Sequence, residues 1–199
     1  MSGGQTMLAK TMKPSDAETY ERARRLGNLA LWTIDLQCRR LNSSEPEDDK
    51  FVLRPWSDFH FLLVALTRLR RAAEHAAKVP SIRRRMRASS KSFDCALPNL
   101  IKMRNVAEHI DDYATDAAKD PTISRKSLEV GTWDGRRSGW LGFEFGANSA
   151  LSASGRLFQV LKDSEPLLGK AGEQDYAAVR HRPVGPETCR EPVAADPGG

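Results

Sequence analysis

The stretch PWSDFHFLLVALTRLRRAAEHAAKV, residues 55–79, decides the fold because its apolar residues cover almost every side of one helix. One set recurs with the 3.6-residue period of an α-helix: Phe59, Leu62, Leu63, Leu66, Leu69, Ala73 and Ala77. Phe61, Val64 and Ala65 cover other sides of its first half. A helix that is apolar nearly all round packs at the centre of a domain. The sequence therefore predicts a buried central helix that starts near Pro55 and ends before Pro80.

Three further amphipathic segments accompany this central helix. Residues 15–41 are expected to form a helix with Ser15 or Asp16 as its N-cap. A third helix is expected from about residue 99 to about 119, and a last helix at roughly 149–162. The basic segment 81–91 is expected to be either a short helix or an exposed turn. These segments predict a mainly α fold, an antiparallel four-helix bundle within a domain of residues 15–165.

The apolar period changes from helical to two between about residues 126 and 146. Leu128, Val130 and Thr132 alternate with polar or aromatic residues, and Leu141, Phe143 and Phe145 repeat the pattern. The turn residues DGRRSG, 134–139, separate the two runs. The pattern predicts one β-hairpin before the last helix, with Trp133 and Trp140 as a cross-strand pair.

Composition limits the class of protein. The chain has 199 residues, a net charge of +5 and a longest purely apolar run, FLLVAL at 61–66, that is too short to span a membrane. The N-terminal residues contain no apolar segment of signal-peptide length, so we expect a cytoplasmic protein without a membrane partner. Residues 1–14 and 166–199 are expected to be disordered tails.

The sequence contains no recognisable motif for a cofactor or a metal ion. The three cysteines form no C-x-x-C pair, and the four histidines are scattered along the chain. The sequence contains no Walker-type loop, no G-x-G-x-x-G and no G-x-S-x-G. We therefore expect neither a metal site nor a cofactor.

The third predicted helix carries the polar segment KMRNVAEHIDDYA, residues 102–114. On a helical wheel, Arg104 and His109 lie about 140° apart, on opposite borders of the apolar stripe. One helix therefore does not bring the two side chains together. Two copies packed antiparallel across a two-fold axis would bring each Arg104 near the His109 of the other chain.

This arrangement resembles the HEPN superfamily, whose members are small helical bundles that often dimerise. The resembling motif is RNVAEH, in which Arg104 is followed by polar Asn105 and, after a four-residue gap, by His109. The resemblance implies a metal-independent endoribonuclease with a composite site at the dimer interface. His109 would be the general acid and base, Arg104 would bind the phosphate, and Asn105 would orient one of them.

A non-catalytic interpretation competes with this one and is favoured by the sequence. The Arg-x4-His spacing recurs at Arg70 and His75, so the pattern alone is not specific. Glu108 and Asp112 add negative charge that repels RNA phosphates, and Glu108 is placed to pair with Arg104. In this interpretation a HEPN-like module uses the same polar face to dimerise or to bind a partner.

A basic stretch offers a second candidate surface. Residues 68–91 contain nine Lys or Arg and a single acid, Glu74. The candidate binding residues are Arg83, Arg84, Arg85 and Arg87. They fit a nucleic-acid backbone such as RNA, an acidic protein partner, or simply a solvated surface. Arg70 lies on the apolar side of its helix and needs a partner. Its guanidinium either reaches outward to solvent at the helix end or pairs with a carboxylate of the third helix, such as Asp111 or Asp112.

Overall fold

A computed structural model describes residues 13–49, 53–115, 120–129, 131–134 and 136–168, and most of them are helical. The helices are α1 (Asp16–Leu41), α2 (Leu53–Ala76), α3 (Arg83–Ala96), α4 (Leu100–Glu108), α5 (Ile110–Ala114) and α6 (Ala147–Lys162). The strands β1 (Thr132–Trp133), β2 (Arg137–Trp140) and β3 (Phe143–Gly146) form one antiparallel sheet in that order. The predicted mainly α class is confirmed. The predicted disordered tails lie, apart from residues 13–14 and 166–168, outside the described residues.

Helix α1 begins as predicted at the N-cap Ser15. The Ser15 hydroxyl accepts a hydrogen bond from the Glu18 backbone N–H at 3.2 Å, and the Glu18 carboxylate accepts one from the Ser15 N–H at 2.7 Å. This capping box satisfies two backbone donors that a helix start otherwise leaves unpaired. Local sequence therefore specifies this helix boundary.

Helix α2 is the buried centre of the fold. Its residues Leu62, Leu63 and Leu66 are fully buried, as predicted, but the expectation of burial nearly all round is wrong at Phe61, which is 58% exposed. It packs most extensively against α1 and also contacts α3, α4 and α6. The start of α2 lies beside the end of α1, since Arg54 Nη1 donates to the Arg40 carbonyl at 2.7 Å. This contact holds the end of α1 against the start of α2.

Helix α6 closes the fold against α1. At Gly27 a Cβ atom would lie 3.2 Å from Leu161 and 3.3 Å from Phe158, so glycine permits the close approach of the two helices. The Tyr20 hydroxyl donates to the Leu161 carbonyl at 3.0 Å. Burial raises the pKa of the Cys38 thiol to about 11, and the protonated thiol donates to the Ala147 carbonyl. Hydrogen bonds thus join both ends of α6 to α1.

The predicted helix over residues 99–119 is wrong as a single element. Helix α4 ends at Glu108, His109 has non-helical dihedral angles (φ −123°, ψ 35°), and α5 starts at Ile110. The break places Asp111 and Asp112 in the first turn of α5, where carboxylates interact favourably with unpaired N–H groups. Residues 116–119 of the predicted helix lie outside the described part.

The predicted hairpin is a three-stranded sheet. Leu128 belongs to a 3-10 helix, Arg125–Leu128. Of the residues expected to form the turn, Asp134 and Arg136 lie in the β1–β2 turn, whereas 137–139 belong to strand β2. The β2–β3 turn is the dipeptide Leu141–Gly142, and both residues have positive φ (55° and 77°). Positive φ at both central residues gives a turn whose twist suits a two-residue hairpin.

The predicted Trp133–Trp140 cross-strand pair is also wrong. Trp133 lies opposite Ser138, and Trp140 lies opposite Phe143. Trp140 is only 4% exposed and packs edge-on against Trp56 of α2, with ring centroids 5.1 Å apart. The tryptophan therefore fixes the sheet to the central helix instead of stiffening a hairpin.

The basic segment 81–91, predicted as a short helix or a turn, forms most of α3. The buried residues of α3 follow a helical spacing and are Met86, Ser90 and Phe93. The helix packs against α2 and α6. Among the helices of the described chain, none is long and apolar enough to cross a membrane.

Candidate functional site

A positively charged cleft lies between the C-terminal half of α2 and the exposed face of α3. Its volume is about 720 Å³. The lining residues are Arg70, Glu74, Ala77, Lys78, Arg83, Arg87, Ser90, Lys91 and Asp94. Five cationic side chains thus face two carboxylates, and no aromatic side chain contributes to the lining.

The cleft forms because α3 turns one charged face towards α2. The 3-10 helix Pro80–Ile82 connects the two helices, and the buried side chains of Ile82 and Met86 fix the start of α3 to the core. Arg83, Arg87 and Lys91 are spaced by four residues, so they lie on one side of the helix. Each is one turn, about 6 Å, from the next along the helix axis.

Arg70 pairs with both carboxylates of the cleft. Its Nε and Nη2 atoms donate to the two oxygens of Asp94 at 2.6 and 2.8 Å, and Nη1 forms an ion pair with Glu74. The hydrogen bonds to Asp94 raise the pKa of Arg70 above its already high value. The expectation of a carboxylate partner is confirmed, but the proposed partners Asp111 and Asp112 are wrong, because Asp94 of α3 takes that role.

The other cations of the cleft differ in their contacts. Arg83 donates from Nε to the Ala77 carbonyl at 3.2 Å and from Nη2 to the Lys78 carbonyl at 3.4 Å. Arg83 therefore also caps the C-terminal end of α2. Across the described residues, no carboxylate forms an ion pair with Lys78, Arg87 or Lys91. Their charges are available to an external anion.

The predicted binding arginines divide between two surfaces. Arg83 and Arg87 line the cleft, whereas Arg84 does not and is exposed to solvent. Arg85 lies on the α6 side of α3, where its Nη2 atom is 3.8 Å from the Asp163 carboxylate. Lys91 was not among the predicted binding residues, although its four-residue spacing from Arg87 could have identified it.

The predicted catalytic residues Arg104, Asn105 and His109 occupy a second polar surface on α4. Arg104 is 15% exposed, forms an ion pair with Glu108 and donates from Nη1 to Asn105 Oδ1 at 3.1 Å. His109 is 60% exposed, and its Nδ1 atom lies 3.8 Å from the Asp112 carboxylate. Within the described chain, no hydrogen bond or ion pair links Arg104 to His109.

The two surfaces differ in charge. In the cleft, five cations outnumber two carboxylates, and one arginine pairs with both acids. On α4, Glu108 pairs with Arg104, and Asp112 lies beside His109. Among the described residues, no three His, Cys, Asp or Glu side chains lie close enough together to hold a metal ion. The cleft is therefore the better site for an anionic ligand.

Comparison of the chain with protein-family models, curated proteins and solved structures finds no match. The function is therefore inferred from the geometry of the two surfaces. The α2–α3 cleft offers unpaired positive charge in a concave setting, and concave sites with converging polar groups are the usual places for ligands.

Proposed function

We propose that the protein is a non-catalytic helical module that binds the phosphate backbone of nucleic acid in the α2–α3 cleft. The observation that carries the proposal is that Lys78, Arg87 and Lys91 line the cleft without a carboxylate partner in the described chain. Both acids of the cleft are occupied by Arg70. Lysine and arginine side chains that contact phosphates release counterions, and this release drives binding.

A chain of phosphates suits the cleft better than a single anion does. Arg83, Arg87 and Lys91 form a row along α3, one helical turn apart. The lining offers no aromatic ring on which a base could stack. Contacts to the backbone alone position nucleic acid without reading its sequence. The proposed binding is therefore independent of base sequence and sensitive to salt.

The proposed architecture is an antiparallel four-helix bundle of HEPN-like type. Its four main helices are α1, α2, α4 with α5, and α6, and α3 is an addition that carries the cleft. The contacts of α2 with α1, α4 and α6, and of α1 with α6, support this arrangement. In this proposal the HEPN-like bundle is a scaffold, and its basic addition supplies the binding surface.

Neutralising the cleft is expected to weaken nucleic-acid binding. The variant Arg87→Gln/Lys91→Gln removes two cations that have no carboxylate partner in the described chain. The slope of log K against log salt concentration should fall by roughly 1.4 to 1.8, at about 0.7 to 0.9 per lost phosphate contact. Fluorescence anisotropy with labelled RNA and DNA measures this slope at salt concentrations of roughly 50 to 200 mM.

The matched control is Lys126→Gln/Arg136→Gln. It changes the net charge by the same amount, and both residues are exposed and lie outside the lining of the cleft. The control should retain at least most of the wild-type slope. Equal losses in the two variants would show that net charge, and not the cleft, governs binding, and the proposal would then be abandoned.

A second candidate function, a metal-independent endoribonuclease, is favoured by one observation. Asn105 Oδ1 accepts a hydrogen bond from Arg104 Nη1, as expected for a residue that orients the phosphate-binding arginine. The exposed His109 lies at the break between α4 and α5. For this function, a second copy of the chain would place its His109 beside Arg104. The ion pair between Glu108 and Arg104 would open, so that the guanidinium could bind the substrate phosphate.

We expect no cleavage of mixed RNA by the wild-type protein with divalent metal chelated, because Glu108 occupies Arg104. The assay compares wild type, Arg104→Ala and His109→Ala, and it scores products with cyclic-phosphate ends. Cleavage by wild type that both substitutions abolish would replace the non-catalytic proposal with the endoribonuclease. Cleavage that persists in all three would indicate a contaminating nuclease, which repurification removes.

A further inference from the structure

Half of the large hydrophobic side chains exposed in the described chain lie on α1. The eight exposed side chains are Leu26, Leu29, Trp32, Leu36, Leu53, Phe61, Ile101 and Ile110. Leu29 and Trp32 are 64% and 67% exposed, the two highest values in this set. The α1 members are spaced by three, three and four residues, so they form one continuous apolar face. Such a face on a soluble domain marks an interaction site.

This apolar face is separate from the core of the fold. The buried residues of α1 include Ala23, Gly27, Ala30 and Ile34, and they face the central bundle. Leu29, Trp32 and Leu36 project from another side of the same helix. The exposed apolar area is therefore not explained by the packing of the bundle.

Ion pairs flank the apolar face at both ends. At one end the Glu21 carboxylate accepts from Arg25 Nε and from Arg24 Nε, each at 2.7 Å, and at the other the Asp35 carboxylate accepts from Arg39 Nε at 3.0 Å. Each end thus carries a carboxylate followed four residues later by an arginine, Glu21 with Arg25 and Asp35 with Arg39. On a helical wheel the four side chains lie along the same edge of the face.

The positions of these charges are symmetric about residue 30. In an antiparallel pairing centred there, Glu21 lies opposite Arg39 of a second copy, and Arg25 lies opposite its Asp35. Residues on the same edge of two antiparallel helices are the ones that meet across the seam. Opposite charges therefore face each other at both ends, and near the centre Leu29 of each copy lies within one residue of the position opposite Trp32 of the other copy.

We propose that α1 is a homodimer interface in which two copies pack antiparallel through Leu29, Trp32 and Leu36. A two-fold axis presents the same surface twice, so such an interface has to be complementary to itself. The face satisfies this requirement in both its apolar centre and its charged ends. An exposed tryptophan at the centre is the kind of residue that dominates interface energetics.

The dimer does not depend on nucleic-acid binding, and it differs from the arrangement that would build a composite ribonuclease site. That arrangement needs two copies of α4 to meet, whereas this one joins two copies of α1. No residue of α1 lines the α2–α3 cleft, so the seam uses a different set of residues. Two clefts in one particle strengthen binding to a long polyanion, because the second contact becomes intramolecular.

The test measures molecular mass by light scattering and analytical ultracentrifugation over a series of protein concentrations. Wild type should dimerise, and Leu29→Ser/Trp32→Ser should raise the dimer dissociation constant by roughly 30-fold or more, as loss of a central anchor does. The matched control is Ile101→Ser/Ile110→Ser, which removes two exposed apolar residues from α4 and α5 and should leave the dimer intact. Circular dichroism confirms that each variant is folded.

Charge reversal tests the register. Arg25→Glu should weaken the dimer because it places a glutamate opposite Asp35 of the other copy, and Arg25→Glu/Asp35→Arg should restore it. A wild type that remains monomeric at every concentration would overturn the proposal. So would a dimer that survives Leu29→Ser/Trp32→Ser, or one that the Ile101→Ser/Ile110→Ser control dissociates instead.

Discussion

Replacing Trp140 with alanine is expected to lower the free energy of unfolding by about 3–5 kcal/mol. The side chain is almost fully buried, and its ring lies edge-on to Trp56 and, with centroids 5.3 Å apart, to His60. The substitution leaves a large cavity between the sheet and α2 and removes the main contact that joins them. Urea denaturation followed by far-ultraviolet circular dichroism measures the loss.

Two further variants show whether the effect comes from this contact. Trp133→Ala removes a half-buried tryptophan from the adjacent strand β1 and should cost clearly less. Trp140→Phe should retain most of the stability, because it keeps an aromatic ring and removes an indole N–H that has no partner in the described structure. Equal losses for Trp133→Ala and Trp140→Ala would contradict the assigned role of Trp140.

Replacing Arg70 with methionine is expected to weaken both the fold and the binding of nucleic acid. The substitution keeps an unbranched side chain but leaves the Asp94 and Glu74 carboxylates without their partner. Because both acids are exposed, we expect a stability loss of only about 1–2 kcal/mol. The freed carboxylates repel phosphates in the cleft, so the affinity for RNA at low salt should fall by roughly tenfold.

The double variant Arg70→Met/Asp94→Asn isolates the electrostatic part of this effect. It removes one of the two uncompensated carboxylates and should recover a measurable share of the RNA affinity. Anisotropy titrations of wild type, both single variants and the double variant form a complete cycle. If Arg70→Met binds RNA as tightly as wild type, the cleft does not hold the phosphates.

Sequence patterns predicted the elements whose signals are local. The capping residues Ser15 and Glu18 determine the start of α1, and the apolar residues of α2 describe a helix that is buried on most sides. The break at His109 escaped prediction because the apolar period continues across it, through Val106 and Ile110. Periodicity records which side of a helix is apolar, and it does not record a local change in backbone direction.

The sheet and α3 depend on tertiary contacts that sequence patterns do not contain. The β2–β3 turn uses Leu141 at positive φ, a conformation that residues with a branched side chain rarely adopt. The basic segment contributes few apolar residues, so only the burial of Met86 and Phe93 reveals α3 as a stable helix. Both elements are stabilised by what they pack against, and the packing is visible only in the folded chain.

Only part of the candidate cleft was predictable, because some of its contacts also depend on tertiary structure. The density of charge between residues 68 and 91 identified Arg83 and Arg87. The partner of Arg70 was misassigned because Asp94 lies 24 residues away on a helix that the sequence did not establish. Charge density thus shows where basic residues cluster in the sequence. Which of them have a carboxylate partner, and which do not, is visible only in the three-dimensional structure.

The contact between the first and last helices has a consequence for synthesis of the protein on the ribosome. The Tyr20 hydroxyl and the Leu161 carbonyl that it contacts are separated by 141 residues. At about 5–20 residues per second, the interval between translation of these two residues is roughly seven to thirty seconds. During that interval the groove of α1 around Gly27 has no α6 to fill it, and its apolar surface is open to chaperones. A nascent chain that stalls before Ala147 stays in this open state, so the core is complete only after α6 has been synthesised.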